Sequence, residues 1–330
     1  MSEVKNLDSN NQEKKSFYST FNEIMNKPFT HTILPVIGLV IVVMLFAILT
    51  GGKIIEPFNV ELLLNQTYVL MIASSGVLLV MTMGSLDFSQ GSMLAIASIV
   101  VCYLSNYNLI LAIIGGIITG AAIGAINGFF LVKRKIMSFI VTICSMFLFR
   151  GVCAYLTTNS PVYANGNIYK LNTMPLELAL TVIVLLIVFI LFNFTKVGIN
   201  IKAIGAGETG ARFAGIKVGK TKWLIYILAG AITGFAAFIN VIKVGSVTST
   251  SGNMMETQIM IALVLGGLPI SGGAKVRFIN VICGVLTYKI LSTGLVMMGF
   301  TTEMQQLIEG IVFLIVVVLF SDRKSLQVIK

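Results

Sequence analysis

Residues 109–131 read L-I-L-A-I-I-G-G-I-I-T-G-A-A-I-G-A-I-N-G-F-F-L. The run carries no charge and is long enough to cross a bilayer as one helix. Gly116, Gly120, Gly124 and Gly128 are spaced four apart, so they lie on one face of that helix. In lipid, helices associate through packing, and a glycine face lets a second backbone come close. The stretch predicts a membrane helix seated tightly on a neighbour. A surface that slides during gating would need the same packing.

The rest of the chain is of the same kind. Of 330 residues, 56% are hydrophobic and only 11% charged. Soluble domains carry about 25% charged residues. A chain this poor in charge has to be solvated by lipid. Ten apolar segments follow at about 32–50, 62–83, 91–105, 109–131, 138–157, 176–194, 223–242, 256–268, 278–298 and 304–320. The eighth is short and reads as broken or re-entrant. The expected fold is an all-α polytopic membrane protein of about ten transmembrane helices. Eight, with one apolar run not spanning, is the alternative.

Basic residues set the topology. With the N-terminus inside, the inside segments hold 18 of the 23 Lys and Arg. The outside holds Lys53, Lys170 and Lys243, while Arg150 and Lys289 fall within segments. That split supports N-in and C-in. Residues 1–31 are then a cytoplasmic tail, in which Phe17, Phe21, Ile24 and Met25 lie at the spacing of an interfacial helix. Residues 32–321 form the membrane domain, and 322–330 a second cytoplasmic tail. The largest inside loop, about 195–222, has room for a short helix along the membrane. The largest outside loop, about 158–175, is turn-rich. The formal charge of +10 reflects the inside loops rather than nucleic acid.

Several chemistries are excluded. Cys102, Cys144, Cys153 and Cys283 sit singly, and His31 is the one histidine, so no metal set is indicated. No acid pair or nucleophile–base arrangement is visible, which removes a membrane-embedded enzyme. Ala214–Thr221 reads A-G-I-K-V-G-K-T, close to a phosphate-binding loop. That loop needs a strand before it inside an α/β domain, so this is a chance match between two membrane segments.

The remaining polar residues admit two readings each. Asp87 lies in Gly84-Ser85-Leu86-Asp87-Phe88-Ser89-Gln90-Gly91-Ser92. It either caps the next helix with help from Ser89, within a turn marked by Gly84 and Gly91, or serves gating or ion movement. Arg150 and Lys289 need compensation in lipid. Their partners are carboxylates or helix-end carbonyls, or else a polar substrate. Asn65, Gln66, Tyr68, Asn127, Asn240 and Gln258 could line a path for a hydroxyl-rich solute, or bond across helices.

Four stretches resemble the permease subunit of ribose-type ABC sugar importers. They are Gly84–Ser92; Phe139-Ile140-Val141-Thr142 leading to Arg150-Gly151; Gly205-Ala206-Gly207-Glu208-Thr209-Gly210-Ala211-Arg212-Phe213-Ala214-Gly215-Ile216; and Ile261–Gly267 with Ser271-Gly272-Gly273. Gln305-Gln306, Gly310 and Asp322 also fit, so the resemblance runs from about 60 to 325. Leu268-Pro269, Ala274–Arg277, Phe88 and Gln90 depart from the usual pattern. Close relatives in that family carry pentoses, hexoses, polyols, autoinducer furanoses or nucleosides.

The resemblance implies a translocation subunit of the bacterial cytoplasmic membrane without an ATPase site or cofactor of its own, ATP being bound by a partner. The implied partners are an ABC ATPase subunit, an extracytoplasmic solute-binding protein, a second permease copy or paralogue and the bilayer, with no nucleic acid. It also implies that the inside loop docks on the ATPase through Gly205, Glu208, Ala211, Arg212, Phe213, Gly215 and Ile216. Six basic residues and one acid in so short a loop agree with that role. The rival is an ion-gradient carrier, for which Asp87, Arg150 and Lys289 would be the ionisable groups.

Overall fold

The computed structural model describes residues 30–320. The expectations for the tail before residue 30 and for 321–330 lie outside the described residues. Ten helices overlie the ten expected segments. They are α1 (Thr30–Leu49), α2 (Pro57–Thr82), α3 (Gln90–Ser105), α4 (Leu109–Lys133), α5 (Ser138–Leu156), α6 (Met174–Phe194), α9 (Val218–Val244), α10 (Met255–Leu265), α11 (Ile279–Met297) and α12 (Thr302–Phe320). Between α6 and α9 the loop forms two short helices rather than one, α7 (Lys196–Ala206) and α8 (Glu208–Phe213). Among the described residues, α2, α4, α5, α6, α9 and α11 are each long and apolar enough to cross a membrane. The eighth segment is short, as expected, with 11 helical residues.

The glycine face of α4 meets α9 in antiparallel order. Gly116 lies against Gly234, Gly120 against Gly230, Gly124 against Tyr226 and Gly128 against Trp223. A Cβ at Gly120 would stand 2.0 Å from the Gly230 carbonyl oxygen, so only glycine permits this crossing. Helix α2 packs on another side of α9, where Gly76 faces Ala229 and Ile232. These two helices form the centre. Every residue from Leu70 to Thr82 is buried, and α9 buries Ala229, Gly230, Thr233, Gly234, Ala236 and Ala237. Small side chains bring the backbones together where the hydrophobic effect gives no driving force. Helix α6 turns Leu178, Ile183, Leu186 and Ile190 outward, the surface that lipid would cover.

One end of the bundle gathers the basic loops. Gly205 abuts the Thr82 carbonyl, Gly128 abuts Trp223, and the Leu86 N–H donates to Ser138 Oγ at 3.2 Å. The opposite end carries the loop expected over 158–175. It forms an antiparallel ribbon, β1 (Val162–Tyr163) with β2 (Ser246–Val247), in register Val162 to Val247. A 3-10 turn at Gly166–Leu171 follows and buries Ile168.

Candidate functional site

Three of the glycine-bearing stretches come together at the basic end. The last turn of α7 places Gly205 where a Cβ would lie 2.0 Å from the Thr82 carbonyl oxygen and 2.7 Å from the Gly273 nitrogen. The Gly273 N–H donates to that same Thr82 carbonyl at 3.1 Å. Gly84 and Gly272, both with positive φ, close the other side, with Gly84 against the Ser271 carbonyl. A contact made of backbone alone transmits displacement with little give, because no side-chain rotamer is available to absorb it. Gly205 thus joins the end of α7 to the end of α2 and to the 271–273 turn through backbone contacts alone.

Helix α7 starts at a Thr195 cap, whose Oγ1 accepts from the Val197 N–H at 3.2 Å. Lys202 lies over the Phe192 ring at 4.0 Å. Burial, and secondarily the Arg277 charge, push its ammonium pKa down. Helix α8 follows. Ala211 is its buried residue, whereas Phe213 is 89% exposed. Glu208 accepts from Lys222 and from Arg212, each at 2.7 Å. The Arg212 bond lies within α8, and the Lys222 bond fastens α8 to the start of α9. The Lys222 bond, then the Arg212 bond and both charges, hold the Glu208 carboxyl below its ordinary range against the opposing effect of burial. Gly215, at φ +81, turns the chain out of α8, and the Ile216 N–H donates back to the Ala211 carbonyl at 3.0 Å. The phosphate-loop look-alike at 214–221 is this turn and the start of α9, preceded by a helix and not by a strand.

One step inward lies the Asp87 network. The Asp87 carboxyl is buried and accepts from the Ser89 N–H at 2.9 Å, the Ser89 hydroxyl at 2.6 Å and Gln90 Nε2 at 2.7 Å. Ser89 is the residue before α3, and its own side chain makes no cap bond. Asp87 thus folds a tight turn ahead of the helix rather than capping it in the simple sense. From there the network spreads. Asn127 of α4 donates to Ser89 Oγ at 2.9 Å, Thr233 of α9 donates to Gln90, and Tyr226 of α9 donates to the Leu86 carbonyl at 3.0 Å. Gln90, which departs from the family pattern, is fully buried at its centre.

The ionisable residues find protein partners. Arg150 pairs with Glu256 at 3.3 Å and donates to the Gly252 carbonyl at 3.3 Å, a carboxylate and a loop carbonyl ahead of α10 together. Gly91, at the start of α3, packs on the same spot, where a Cβ would lie 2.1 Å from Glu256 Oε2. Lys243, counted among the outside residues, ends α9 and pairs with the fully buried Glu177 at 3.2 Å. It also donates to the Asn65 carbonyl and sits over the Tyr68 ring at 5.2 Å. Lys289 lies within electrostatic reach of Glu309, whose Oε2 accepts from Tyr288 at 3.1 Å.

The candidate path residues therefore do not form one lining. Asn65 and Tyr68 belong to the Lys243 cluster, Asn127 to the Asp87 network and Arg150 to the Glu256 pair. Asn240 donates to Ser98 at 3.5 Å, and Gln66 is exposed on α2. Gln258 alone faces a cavity of about 90 Å³ between α10, α11 and α12. Sequence reasoning did not single out Glu177, Glu256 or Glu309. A signal existed, since these are the three carboxylates that fall inside the ten apolar segments, and two cations within those segments needed partners.

Residues 59–317 match the family described as branched-chain amino acid transport system / permease component. The chain is 34% identical over 301 residues to "Ribose import permease protein RbsC" of Bacillus subtilis (strain 168), covering 88% of this chain and 92% of that one. It is 30% identical over 278 residues to the protein of the same name from Escherichia coli (strain K12), covering 81% and 86%. At 26% over 300 residues, covering 86% and 83%, it also resembles "Fructose import permease protein FrcC" of Rhizobium meliloti. No solved structure matches. Helical, multi-pass and matched over most of its length, the chain belongs to this permease family, in the branch of the ribose-type ABC sugar importers.

Proposed function

We propose that the chain forms the translocation path of an ATP-driven importer for a monosaccharide, a ribose-like pentose first. Its place is the bacterial cytoplasmic membrane, with both ends of the chain inside. It holds no ATPase site. A separate ABC ATPase subunit binds ATP and supplies the energy, a second permease copy or paralogue completes the path, and an external binding protein delivers the sugar. The observation that carries this reading is the backbone junction of Gly205 with Thr82 and Gly273, joined to a short helix that exposes Phe213. An apolar tip of this kind, rimmed by Glu208 and Arg212, suits docking into a groove of a partner. A push on α8 then passes through α7 to α2 and the 271–273 turn, and from Gly84 into the Asp87 network at the start of α3. The nucleus of the mechanism is a rigid-body shift between two packed states, biased by ATP at the partner.

The test is mild-detergent purification of the chain with its partners, followed by uptake in proteoliposomes. A stoichiometric ATPase and ATP-dependent ribose uptake are expected. Gly215→Pro forces φ from +81 toward about −65°, and should abolish uptake while leaving the protein in the membrane. Uptake driven by an imposed ion gradient without ATP would overturn the proposal, as would wild-type uptake by Gly215→Pro and Glu208→Arg at equal protein level.

A further inference from the structure

Most polar side chains of the spans are met in one of two ways, although the buried hydroxyls of Tyr68, Ser74 and Ser145 have no partner within the described residues. Hydroxyls bond back to their own helix: Thr67 to the Leu63 carbonyl, Thr82 to Leu78, Thr119 to Gly115, Thr181 to Glu177 and Thr287 to Cys283, all between 2.6 and 2.8 Å. Amides bond across helices, as Gln90, Asn127 and Asn240 do. Gln258 of α10 and Gln306 of α12 do neither. Among the described residues neither side chain makes a hydrogen bond, and both line the same cavity. Gln258 is half-buried and Gln306 exposed, so both amides are open to water or to a solute that enters the cavity.

The same walls carry Tyr288, Ser292, Gln305 and Glu309. Glu309 is 7% exposed and already accepts from Tyr288. Gln305 donates to the Phe300 carbonyl at 2.8 Å, which fixes its amide plane and leaves its oxygen toward other partners. Free amides offer donor and acceptor side by side, and the carboxylate adds a strong acceptor. Vicinal hydroxyls, each both donor and acceptor, fit that set. An anionic solute is disfavoured by Glu309. A lone cation is disfavoured because the one carboxylate is shared with Tyr288 and faces the Lys289 charge.

We propose that this cavity between α10, α11 and α12 is a subsite for a neutral polyhydroxylated solute, held through the amides of Gln258 and Gln306. At about 90 Å³ it is well below the roughly 300–1,000 Å³ of ordinary ligand pockets. It has room for several waters, or for one hydroxylated edge of a monosaccharide that displaces them. The subsite rests on the sugar-import reading and deepens it, by placing part of the path within one subunit. It sits beside the start of α10, where Arg150 and Glu256 brace the preceding loop.

The experiment uses the full transporter in proteoliposomes, with its ATPase, its binding protein outside and D-ribose as the probe. The readout is sugar moved per ATP hydrolysed, together with the KM for sugar-loaded binding protein. Gln258→Leu with Gln306→Leu should lower the sugar moved per ATP by about tenfold or more, the factor set by losing one good hydrogen bond. A double variant that moves ribose with the wild-type ratio overturns the subsite. Should the double variant fail to reach the membrane, Gln306→Ala at its exposed position replaces it, and a wild-type ratio in that variant overturns the subsite equally. A wild-type transporter that hydrolyses ATP yet moves none of ribose, fructose or allose refutes the sugar-import reading itself, and the subsite falls with it.

Discussion

Replacing Gly120 by valine should separate the two helices at the heart of the bundle. The added Cβ would stand 2.0 Å from the Gly230 carbonyl oxygen, where ordinary contact begins at 3.4 Å. The helices must part by about 1.4 Å, because the obstacle is backbone and no rotamer change relieves it. That parting loosens the whole row, since Gly116 and Gly124 are seated as closely on Gly234 and Tyr226. It also strains bonds that need α4, α9 and the 84–90 turn together: Asn127 to Ser89, Trp223 to the Ala125 carbonyl and Tyr226 to the Leu86 carbonyl. Overpacking costs about 1–3 kcal/mol, and each weakened bond adds up to about 1 kcal/mol. A loss of about 3 kcal/mol corresponds to a melting temperature lower by roughly 5–10 °C. The assay is thermal unfolding in detergent followed by a thiol-reactive dye. Buried Cys102, Cys153 and Cys283 report unfolding, and exposed Cys144 sets the baseline. The control is Gly151→Val, at an exposed position on α5 with nothing within 4 Å of the new Cβ. If Gly120→Val melts with Gly151→Val and the wild type, the close crossing does not hold the fold together, and the argument from the glycine face is wrong.

Three further outcomes follow from the polar clusters. Arg150→Leu should destabilise by about 3–5 kcal/mol, because it strands the Glu256 carboxylate; adding Glu256→Leu should recover most of the loss, and additive melting shifts in the double-mutant cycle would dismiss the pair. Asp87→Asn puts an amide N–H where Gln90 Nε2 donates, so it should cost about 1–3 kcal/mol, visible as a lower melting temperature; Asp87→Glu, which keeps the acceptor, should lose less, and an equal loss in both would show that acceptor chemistry is not what matters. The depressed carboxyl of Glu208 means that its hold on Lys222 is complete above the ordinary glutamate pKa and is lost as pH falls through the lower folded value. A bimane probe on Phe213→Cys should then become more mobile on acidification, and the pH response should vanish in Glu208→Gln; an unchanged response in that variant would assign the effect elsewhere.

Much of the architecture was legible because it is written locally. Each span is a run of apolar residues, and the ten runs predict the helices to within a few residues at most ends. The four-residue glycine spacing announced a close crossing. What it lacked was the partner: Gly230 and Gly234 are themselves four apart on α9, but nothing in a single chain says which small face meets which. The ion pairs were hidden for the same reason. Arg150 and Glu256 are 106 positions apart, and their meeting depends on α5 and the first turn of α10 reaching the same depth. Lys243 looked like a loop cation because it follows an apolar run, yet the helix continues through it and presents it to Glu177. The inside loop lay where the basic residues put it, but the junction of Gly205 with Thr82 joins backbone atoms, for which no side-chain pattern exists. The cavity was half visible, through Gln258. Gln305 and Gln306 stood out only through the resemblance, and Glu309 drew no notice beside them.

Helix α1 stands apart from the main core. It packs on α11 through a small cluster, Phe46 with Leu291 and Leu295, joined by Ile54 from the turn that follows it, and the Phe46 ring covers Gly294. Its partner is made more than two hundred residues later. At about 5–20 residues per second, α1 waits on the order of ten seconds or longer in the bilayer before its seat exists. It can wait because its sequence carries no Lys, Arg, Asp or Glu and it needs no partner to be soluble in lipid. The first of the described helices in chain order is thus among the last to be docked. Closure of the bundle by α1 therefore has to follow the insertion of α11, because its seat at Leu291, Gly294 and Leu295 does not exist before then.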